Sequence, residues 1–284
     1  MLKQRIITAL VLLAILLPAL FYPSPVPFTA VVLVLMAAGA WEWGRLNGCG
    51  PVGSVAVGAV CVALCGASWA LGLTGRTLAP LWMAGGAFWV LGSAGLLRAG
   101  VAGWPRIPAP VRLVAGVLAL WLAWLAVVQA RAVGINFLLS VMTLVWMADI
   151  AAYFAGRTFG LRFTKNKLAP SISPGKSWEG VWGGVAGVLL LALCWVWADA
   201  HWQAPVASFY TRLAGQGWWL LLLGALFMAA MSVVGDLIES LIKRSAGVKD
   251  SSNLLPGHGG VLDRVDALLP TLPLAMMLPS LVNA

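Results

Sequence analysis

Long apolar stretches alternate with short polar ones along the whole chain. A helix needs about 20 apolar residues to cross the hydrocarbon of a bilayer, and by that rule we predict about nine membrane-spanning helices. The predicted spans cover residues 6–22, 27–43, 52–73, 78–97, 110–130, 133–156, 179–198, 216–238 and 261–282. The pattern therefore predicts an all-α, polytopic integral membrane protein.

The composition supports a membrane protein. Hydrophobic residues make up 61% of the chain and charged residues 10%, and the mean hydropathy is +0.94. A soluble core cannot account for that much apolar side chain, which excludes an ordinary soluble globular protein. The net charge of +9 does not indicate nucleic acid, because the basic residues lie in short gaps between apolar stretches. The four cysteines form no CxxC pair, which argues against a zinc site.

The basic residues predict the topology. With nine spans, all but three of the 18 Lys and Arg residues fall on one side of the membrane or at its border, the exceptions being Arg76, Arg131 and Arg212. Because cytoplasmic loops carry an excess of Lys and Arg, the N-terminus and the loops 157–178 and 241–260 are predicted to be cytoplasmic. The C-terminus is predicted to lie outside.

The two halves of the chain differ in polar content. Residues 1–130 contain a single acidic residue, Glu42, and we predict that they form a transmembrane scaffold. Residues 131–284 contain the other acidic residues and are predicted to form the catalytic region. The first apolar stretch begins like a signal peptide, but no small-residue cleavage site follows it, so we expect an uncleaved first span.

Asp149 lies inside or near the end of an apolar span. A carboxylate at membrane depth is costly, so it usually faces a polar cavity, pairs with a cation or binds a metal. The alternative is a carboxylate at the cytoplasmic interface that pairs with Arg157. The sequence leaves both interpretations open.

A second polar stretch, residues 161–180, precedes the seventh span. Ser173 followed by Pro174 is a favourable start for a helix, whose free backbone N–H groups would then face an anion, with Lys176 adding positive charge. Glu179 is predicted in the first turn. The alternative is an ordinary helix cap on a cytoplasmic loop.

The third polar stretch runs from residue 236 to residue 266 and holds most of the acidic residues. Asp236, Glu239 or Ser240, and Lys243 recur at spacings of three or four, so they are predicted to share one helix face. Asp263 and Asp266 share a face at the start of the last span, and a Gly-rich loop lies between. Carboxylates without a His or Cys cluster favour Mg²⁺ over zinc. A salt-bridged cytoplasmic hairpin is the alternative.

This stretch also carries a family resemblance. The positions that match are Ser240, Lys243, Arg244, Lys249, Asp250, Pro256, His258, Gly259, Gly260, Asp263, Arg264 and Asp266. Together they resemble the signature of the phosphatidate cytidylyltransferases, also called CDP-diacylglycerol synthases. Residues 146–160 and 168–180 resemble further blocks of that family, whereas the N-terminal half matches only in hydropathy. Some members have two adjacent lysines after the Ser-Pro pair, where this chain has Gly175 and Lys176.

The resemblance implies transfer of CMP from CTP to phosphatidic acid, by a homodimer at the cytoplasmic face of a bacterial inner membrane. It implies Mg²⁺ held by Asp236 and Asp263, with Asp149 and Asp266 as further candidate ligands and a monovalent ion such as K⁺ beside it. The implied catalytic residues are Asp236, Asp263, Asp266, Lys243 and Arg264. The implied nucleotide-binding residues are Ser173, Pro174, Lys176, Ser177, Lys249, His258, Gly259 and Gly260.

The chemistry of such a transfer agrees with the residue types. The phosphate of phosphatidic acid carries about −1.5 to −2 charges at neutral pH, so its oxygen needs little help from a base. Repulsion between two anions is the main obstacle, and metal ions with Lys and Arg would overcome it. No obvious base or nucleophile is present, which favours direct displacement over a covalent intermediate.

Two other functions share some of these features. A CTP-dependent lipid-alcohol kinase would use the same nucleotide and metal, but its substrate would attack the γ-phosphorus. A secondary transporter would also have about nine spans and an intramembrane carboxylate such as Asp149. Its polar residues would be expected near the midplane in both halves, whereas here they crowd one border of one half.

Overall fold

Within residues 2–282, which the computed structural model describes, eight helices are long and apolar enough to cross a bilayer. They are α1 (Leu2–Phe21), α2 (Val26–Leu46), α3 (Pro51–Ala70), α4 (Ala79–Ala99), α5 (Ala109–Val133), α6 (Ile135–Phe159), α7 (Trp178–His201) and α9 (Trp218–Ser245). Eight predicted spans therefore correspond to single helices, and the all-α prediction is confirmed.

The remaining elements are short. A 3₁₀ helix, Leu73–Gly75, follows α3, and a second one, Val101–Arg106, joins α4 to α5. Strands β1 (Lys167–Ala169) and β2 (Ser173–Ser177) form an antiparallel hairpin before α7. Helix α8 (Phe209–Gln216) precedes α9, and α10 (Leu262–Val265) and α11 (Leu268–Val282) end the described chain.

The predicted ninth span is the part of the pattern that differs from the structure. It forms α10 and α11, which are separated at Asp266, whose carboxylate accepts a hydrogen bond of 2.7 Å from the N–H of Ala267. Helix α11 has 15 residues, which gives it a length of about 22 Å, short of the hydrocarbon thickness. Residues 269–275 are buried, so α11 packs inside the bundle.

Proline and glycine set the helix boundaries. Helices α2, α3, α4 and α5 each carry a proline in their first two positions, where the missing N–H costs no hydrogen bond. Gly134 alone separates α5 from α6, with a φ of 149° that a side chain would disfavour. These sharp junctions let consecutive helices run antiparallel with little loop.

Small residues let α6 and α7 pack closely. A Cβ atom at Gly184 would lie 2.9 Å from the carbonyl oxygen of Ala148, and one at Gly187 would lie 2.6 Å from Cβ of Ala151. In a bilayer such close approach is a main source of helix association, because the lipid is as apolar as the side chains. The packing places Asp149, next to Ala148, beside the start of α7.

Candidate active site

The two predicted polar loops meet at one end of the bundle. Lys176, on β2, forms an ion pair with Asp236 on α9. Nearby, Nε of Arg244 donates to the carbonyl oxygen of Ile172 at 3.3 Å. The hairpin is thereby held against the last turns of α9, and a cation from the first loop lies directly at a carboxylate of the second stretch.

The predicted polar face of α9 is present. The hydroxyl of Ser240 donates to Oδ1 of Asp236 at 3.2 Å. One turn further on, Nζ of Lys243 pairs with Glu239 and with Oδ1 of Asp263, the latter at 2.5 Å. Lys243 is buried, so it is occupied by two carboxylates rather than directed at solvent.

Asp263 organises the Gly-rich loop. Its Oδ2 accepts hydrogen bonds from N–H and hydroxyl of Ser251, both at 2.9 Å, and from N–H of Gly260 at 2.7 Å. Burial alone would raise the pKa of Asp263, but Lys243 and these backbone donors outweigh it and lower the pKa. Both carboxylate oxygens are thus engaged by the protein, and the side chain is only 4% exposed, so Asp263 is held firmly against the loop.

Asp266 has a different environment. Burial, and then the nearby charge of Asp236, raise its pKa to about 7, and the charge of Asp149 acts in the same direction. The three carboxylates are therefore near enough to repel one another. Asp149 is also within the field of Lys176 and Arg264. Asp149 is exposed, and Arg157 donates instead to the hydroxyl of Tyr153 at 3.1 Å, so the structure does not support the interpretation in which Asp149 pairs with Arg157.

Oxygen donors here suit a hard cation. Across residues 2–282, no three His, Cys, Asp or Glu side chains converge as a ready-made metal cage. Mg²⁺ does not need such a cage, because it commonly binds through one or two carboxylates and takes its other ligands from water and substrate phosphates. Asp236 and Asp266, with the hydroxyl of Ser240, fit that mode of binding.

Glu42 is the site residue that the sequence did not single out. It is fully buried near the end of α2, and its carboxylate accepts from the N–H groups of Val261 and Leu262 at 2.9 and 2.8 Å. The hydroxyls of Ser251 and Ser252 also donate to it. A lone acid in an apolar stretch was the available signal, but its partners lie more than 200 residues away in the chain.

Gly259 and Gly260 lie directly against the carboxylates of Asp263 and Glu42. Gly259 has a φ of 83°, and a Cβ atom there would lie 2.7 Å from Oδ2 of Asp263. A Cβ atom at Gly260 would lie 2.3 Å from Oε1 of Glu42. Their small size therefore allows the backbone to reach Asp263 and Glu42.

Other predicted residues of this loop lie at its surface. Lys249 and Arg264 are exposed, and Lys249 lines a cavity of 430 Å³ together with Arg45 and Ser252. The backbone N–H of His258 donates to the carbonyl oxygen of Leu255 at 2.8 Å. These positions leave the charged side chains of Lys249 and Arg264 accessible to an anionic ligand.

The predicted helix start at Ser173 and Pro174 is wrong. Both lie in β2, because residues 173–177 pair with β1, and the carbonyl oxygen of Pro174 accepts from Nζ of Lys167 at 2.7 Å. The N-cap of α7 is Ser177, whose hydroxyl accepts from N–H of Gly180 at 3.2 Å. Strand pairing has displaced the cap by four residues.

Glu179 lies in the first turn of α7, as predicted, and it organises the first loop. Its Oε1 accepts from the N–H groups of Phe163 and Thr164 at 3.1 and 2.7 Å, and from the hydroxyl of Thr164 at 2.9 Å. The loop between α6 and α7 is therefore attached to α7 in two places, through Glu179 and through the hairpin that carries Lys176.

Comparison with known proteins gives consistent matches. A model of the cytidylyltransferase family matches residues 3–282. A phosphatidate cytidylyltransferase from Pseudomonas aeruginosa is 41% identical over 287 residues, which cover 96% of this chain and 95% of that protein. Phosphatidate cytidylyltransferases from Haemophilus influenzae and Bacillus subtilis align over shorter stretches. The Haemophilus influenzae protein is 47% identical over a stretch that covers 49% of this chain and 44% of that protein. The Bacillus subtilis protein is 38% identical over a stretch that covers 53% of this chain and 49% of that protein.

Proposed function

We propose, since this chain belongs to the cytidylyltransferase family, that it transfers CMP from CTP to phosphatidic acid, giving CDP-diacylglycerol and pyrophosphate. The observation that carries the proposal is the ion pair between Lys176 and Asp236. It joins a cation suited to a nucleotide phosphate to the carboxylates of α9 and α10.

The residues divide into two roles in this proposal. Lys176, Lys249 and Arg264 are exposed or half-buried cations that neutralise and orient the phosphates of CTP and of the lipid. Lys243 and Asp263 are positioning residues, because their side chains are only 11% and 4% exposed and are held by other groups of the protein, whereas the side chains of Lys176 and Asp236 are 25% and 29% exposed. The lipid phosphate is itself the nucleophile, so no side chain has to remove a proton before it attacks the α-phosphorus of CTP.

The proposed metal is Mg²⁺, held by Asp236 and Asp266 with Asp149 close by. When bound, it would neutralise phosphate charge and stabilise the leaving pyrophosphate. Asp263 is a weaker candidate ligand than the resemblance implied, because four protein donors already use its two oxygens. A monovalent ion such as K⁺ beside the Mg²⁺ belongs to the same proposal, and the family resemblance is what supports it.

The proposed setting is the bacterial inner membrane, with the site facing the cytoplasm. The distribution of Lys and Arg supports this orientation, since the loops 157–178 and 241–260 carry 8 of the 18 basic residues, whereas only Arg76, Arg131 and Arg212 fall on the other side. A homodimer is also proposed, on the family resemblance. Cross-linking of the protein in native membranes tests the dimer, and cysteine labelling at Lys165 from either side of the membrane tests the orientation.

A labelled-nucleotide assay tests the activity. Full-length protein in detergent is incubated with phosphatidic acid and CTP labelled at the α- or the γ-phosphorus, with and without Mg²⁺. Label from the α-position in a lipid product, dependent on Mg²⁺, is the expected result. Label from the γ-position in lipid would instead identify a lipid kinase, and solute movement in liposomes without CTP binding would identify a transporter.

A further inference from the structure

An apolar groove opens between α4 and α5 towards the surrounding lipid. Its cavity of 440 Å³ is bounded by α2, α4, the 3₁₀ helix Val101–Arg106, α5 and α9. At its mouth, Leu91 and Val111 are 71% and 55% exposed. Gly92 and Gly95 line the wall, and a Cβ atom at either would meet no other atom within 4 Å. We call this cavity the α4–α5 groove.

Three polar N–H groups distinguish the groove from an ordinary crevice on a lipid-facing surface. The indole Nε1 atoms of Trp89 and Trp104 and the Nε atom of Arg112 belong to residues that line it. All three atoms are buried and lack a hydrogen-bond partner in the described part of the chain. Trp89 and Trp104 are only 7% and 4% exposed. A buried donor without an acceptor is costly, so a ligand oxygen would be favoured here.

The inner end of the groove adjoins the candidate active site. Gly235, Glu239 and Leu262 form part of its wall. They are next to Asp236, one turn before Lys243, and next to Asp263, respectively. Glu239 pairs with Lys243. A molecule lying in the groove would therefore have one end at the lipid and the other at the charged residues of α9 and α10.

We propose that the α4–α5 groove binds an acyl chain of the diacyl lipid phosphate, whose ester carbonyl oxygen accepts hydrogen bonds from the N–H groups of Trp89 or Trp104. This inference rests on the proposed function and adds the acyl-chain site to it. Because the bilayer is already apolar, the groove gains nothing from the hydrophobic effect. Its preference for the substrate comes from the indole donors and from packing against its walls.

Photolabelling tests the proposal without relying on turnover. Phosphatidic acid with a diazirine in one acyl chain is irradiated with the full-length protein, and labelled peptides are identified by mass spectrometry. We expect label in α4 and α5, on residues such as Leu91 and Val111. The Gly95→Leu variant adds a side chain to the wall of the groove at a position where a Cβ atom meets no other atom within 4 Å, and it is expected to lower this labelling by about tenfold, as loss of a fitted contact surface predicts. Label that Gly95→Leu leaves unchanged would overturn the proposal, because bulk lipid or a second copy would then cover the groove.

The matched control is Gly66→Leu. Gly66 lies on α3, is exposed, and likewise has no atom within 4 Å of a Cβ position, but it does not line the groove. We expect Gly66→Leu to keep both the labelling and the CMP transfer within about twofold of the unsubstituted protein. Equal loss in both leucine variants would show a general effect on folding or insertion and would overturn the assignment to the groove.

Substrates of different chain length provide a second test. Gly95→Leu is expected to raise the KM for dioleoyl phosphatidate about tenfold and the KM for the dihexanoyl form much less, with the KM for CTP unchanged. Trp89→Phe removes the N–H group and replaces the indole by a smaller ring, and it is expected to raise the KM for dioleoyl phosphatidate about three- to tenfold. Equal effects on both lipids would overturn the groove as the acyl-chain site.

The outcomes separate this inference from the proposed function. If the unsubstituted protein transfers CMP but the label falls outside the groove, the inference fails and the activity stands. Suppose instead that the label lies in the groove and that Gly95→Leu lowers the labelling, but that no CMP appears in lipid. The proposed function then fails and the lipid site stands.

Discussion

The carboxylate of Glu42 in α2 accepts a hydrogen bond of 2.8 Å from the backbone N–H of Leu262, which is 220 positions further along the chain. The same carboxylate accepts from Val261, Ser251 and Ser252. Asp263 binds the other side of the same loop through Ser251 and Gly260. Two buried carboxylates, one from each half of the chain, thus fix the loop that carries the signature residues.

Glu42→Gln is expected to reduce CMP transfer at least tenfold and to destabilise the protein by about 1–3 kcal/mol, because an amide NH₂ would face backbone N–H donors that need an acceptor. The measurements are kcat and KM for CTP, together with proteolysis of residues 249–260. If the loop stays as resistant to protease as in the unsubstituted protein and activity is unchanged, Glu42 does not position the loop.

Asp199→Asn is the matched control for this substitution. Asp199 is also a buried carboxylate that accepts from backbone and side chains, including N–H of Ser208 at 2.9 Å, but it lies at the opposite end of the bundle. We expect it to lower thermal stability while leaving the KM for CTP unchanged. A matching rise in this KM would mean that the effect of Glu42→Gln comes from general loosening.

The membrane helices could be predicted from sequence because apolar length is a property of a continuous stretch. The span predicted at residues 110–130 is α5, Ala109–Val133, in the structure. The role of Glu42 could not be predicted, because its partners are set by tertiary packing. The assignment of residues 1–130 to a scaffold stays a prediction, with the addition that this region contributes Glu42 to the site.

Two further differences between prediction and structure, at the start of α7 and in the last apolar stretch, come from local interactions. Ser173 and Pro174 suit a helix start, but pairing with β1 keeps them extended and moves the cap to Ser177. The last apolar stretch is long enough for one span, but its first residues form α10, a separate short helix. The hydropathy pattern carries no information on strand pairing or on hydrogen bonds such as the one between Asp266 and Ala267. It therefore cannot tell a strand from a helix start, or two short helices from one span.

Asp263→Asn and Asp266→Asn are expected to differ in their response to Mg²⁺. Loss of the Asp263 carboxylate is expected to disorder the loop and removes one of the two carboxylate partners of Lys243, so kcat should fall at least tenfold. The Mg²⁺ concentration that gives the half-maximal rate should stay unchanged. Asp266→Asn should shift that concentration upward by about tenfold or more. A Mg²⁺ shift for Asp263→Asn alone would restore Asp263 as the metal ligand.

The loss of stability caused by Asp263→Asn should be the same at every pH between 5 and 8. The lowered pKa of Asp263 keeps the carboxylate ionised throughout that range, so its contribution to stability is complete above the unfolded-state pKa of about 3.9 and is lost only in stronger acid. Thermal unfolding of the unsubstituted protein and of Asp263→Asn at several pH values measures this. A difference in stability that disappears near pH 6 would contradict the assignment.

Removal of divalent metal by a chelator is expected to abolish CMP transfer and leave the fold intact. The loop is attached to the bundle by Glu42 and Asp263 through hydrogen bonds that need no metal. The unfolding temperature in detergent should therefore change little on chelation, and activity should return when Mg²⁺ is added. A large loss of thermal stability without metal would show that the metal holds the loop.

Lys176→Ala is expected to raise the KM for CTP about tenfold or more, since it removes the cation beside Asp236 to which we assign neutralisation of a nucleotide phosphate. Lys165→Ala is the control, because Lys165 is an exposed lysine of the same loop outside the hairpin, and its KM for CTP should stay unchanged. Lys176→Arg keeps the charge and should recover part of the loss. If Lys176→Ala instead raises only the KM for phosphatidate, the lysine contacts the lipid phosphate, and the nucleotide must lie on the side of Lys249 and Arg264.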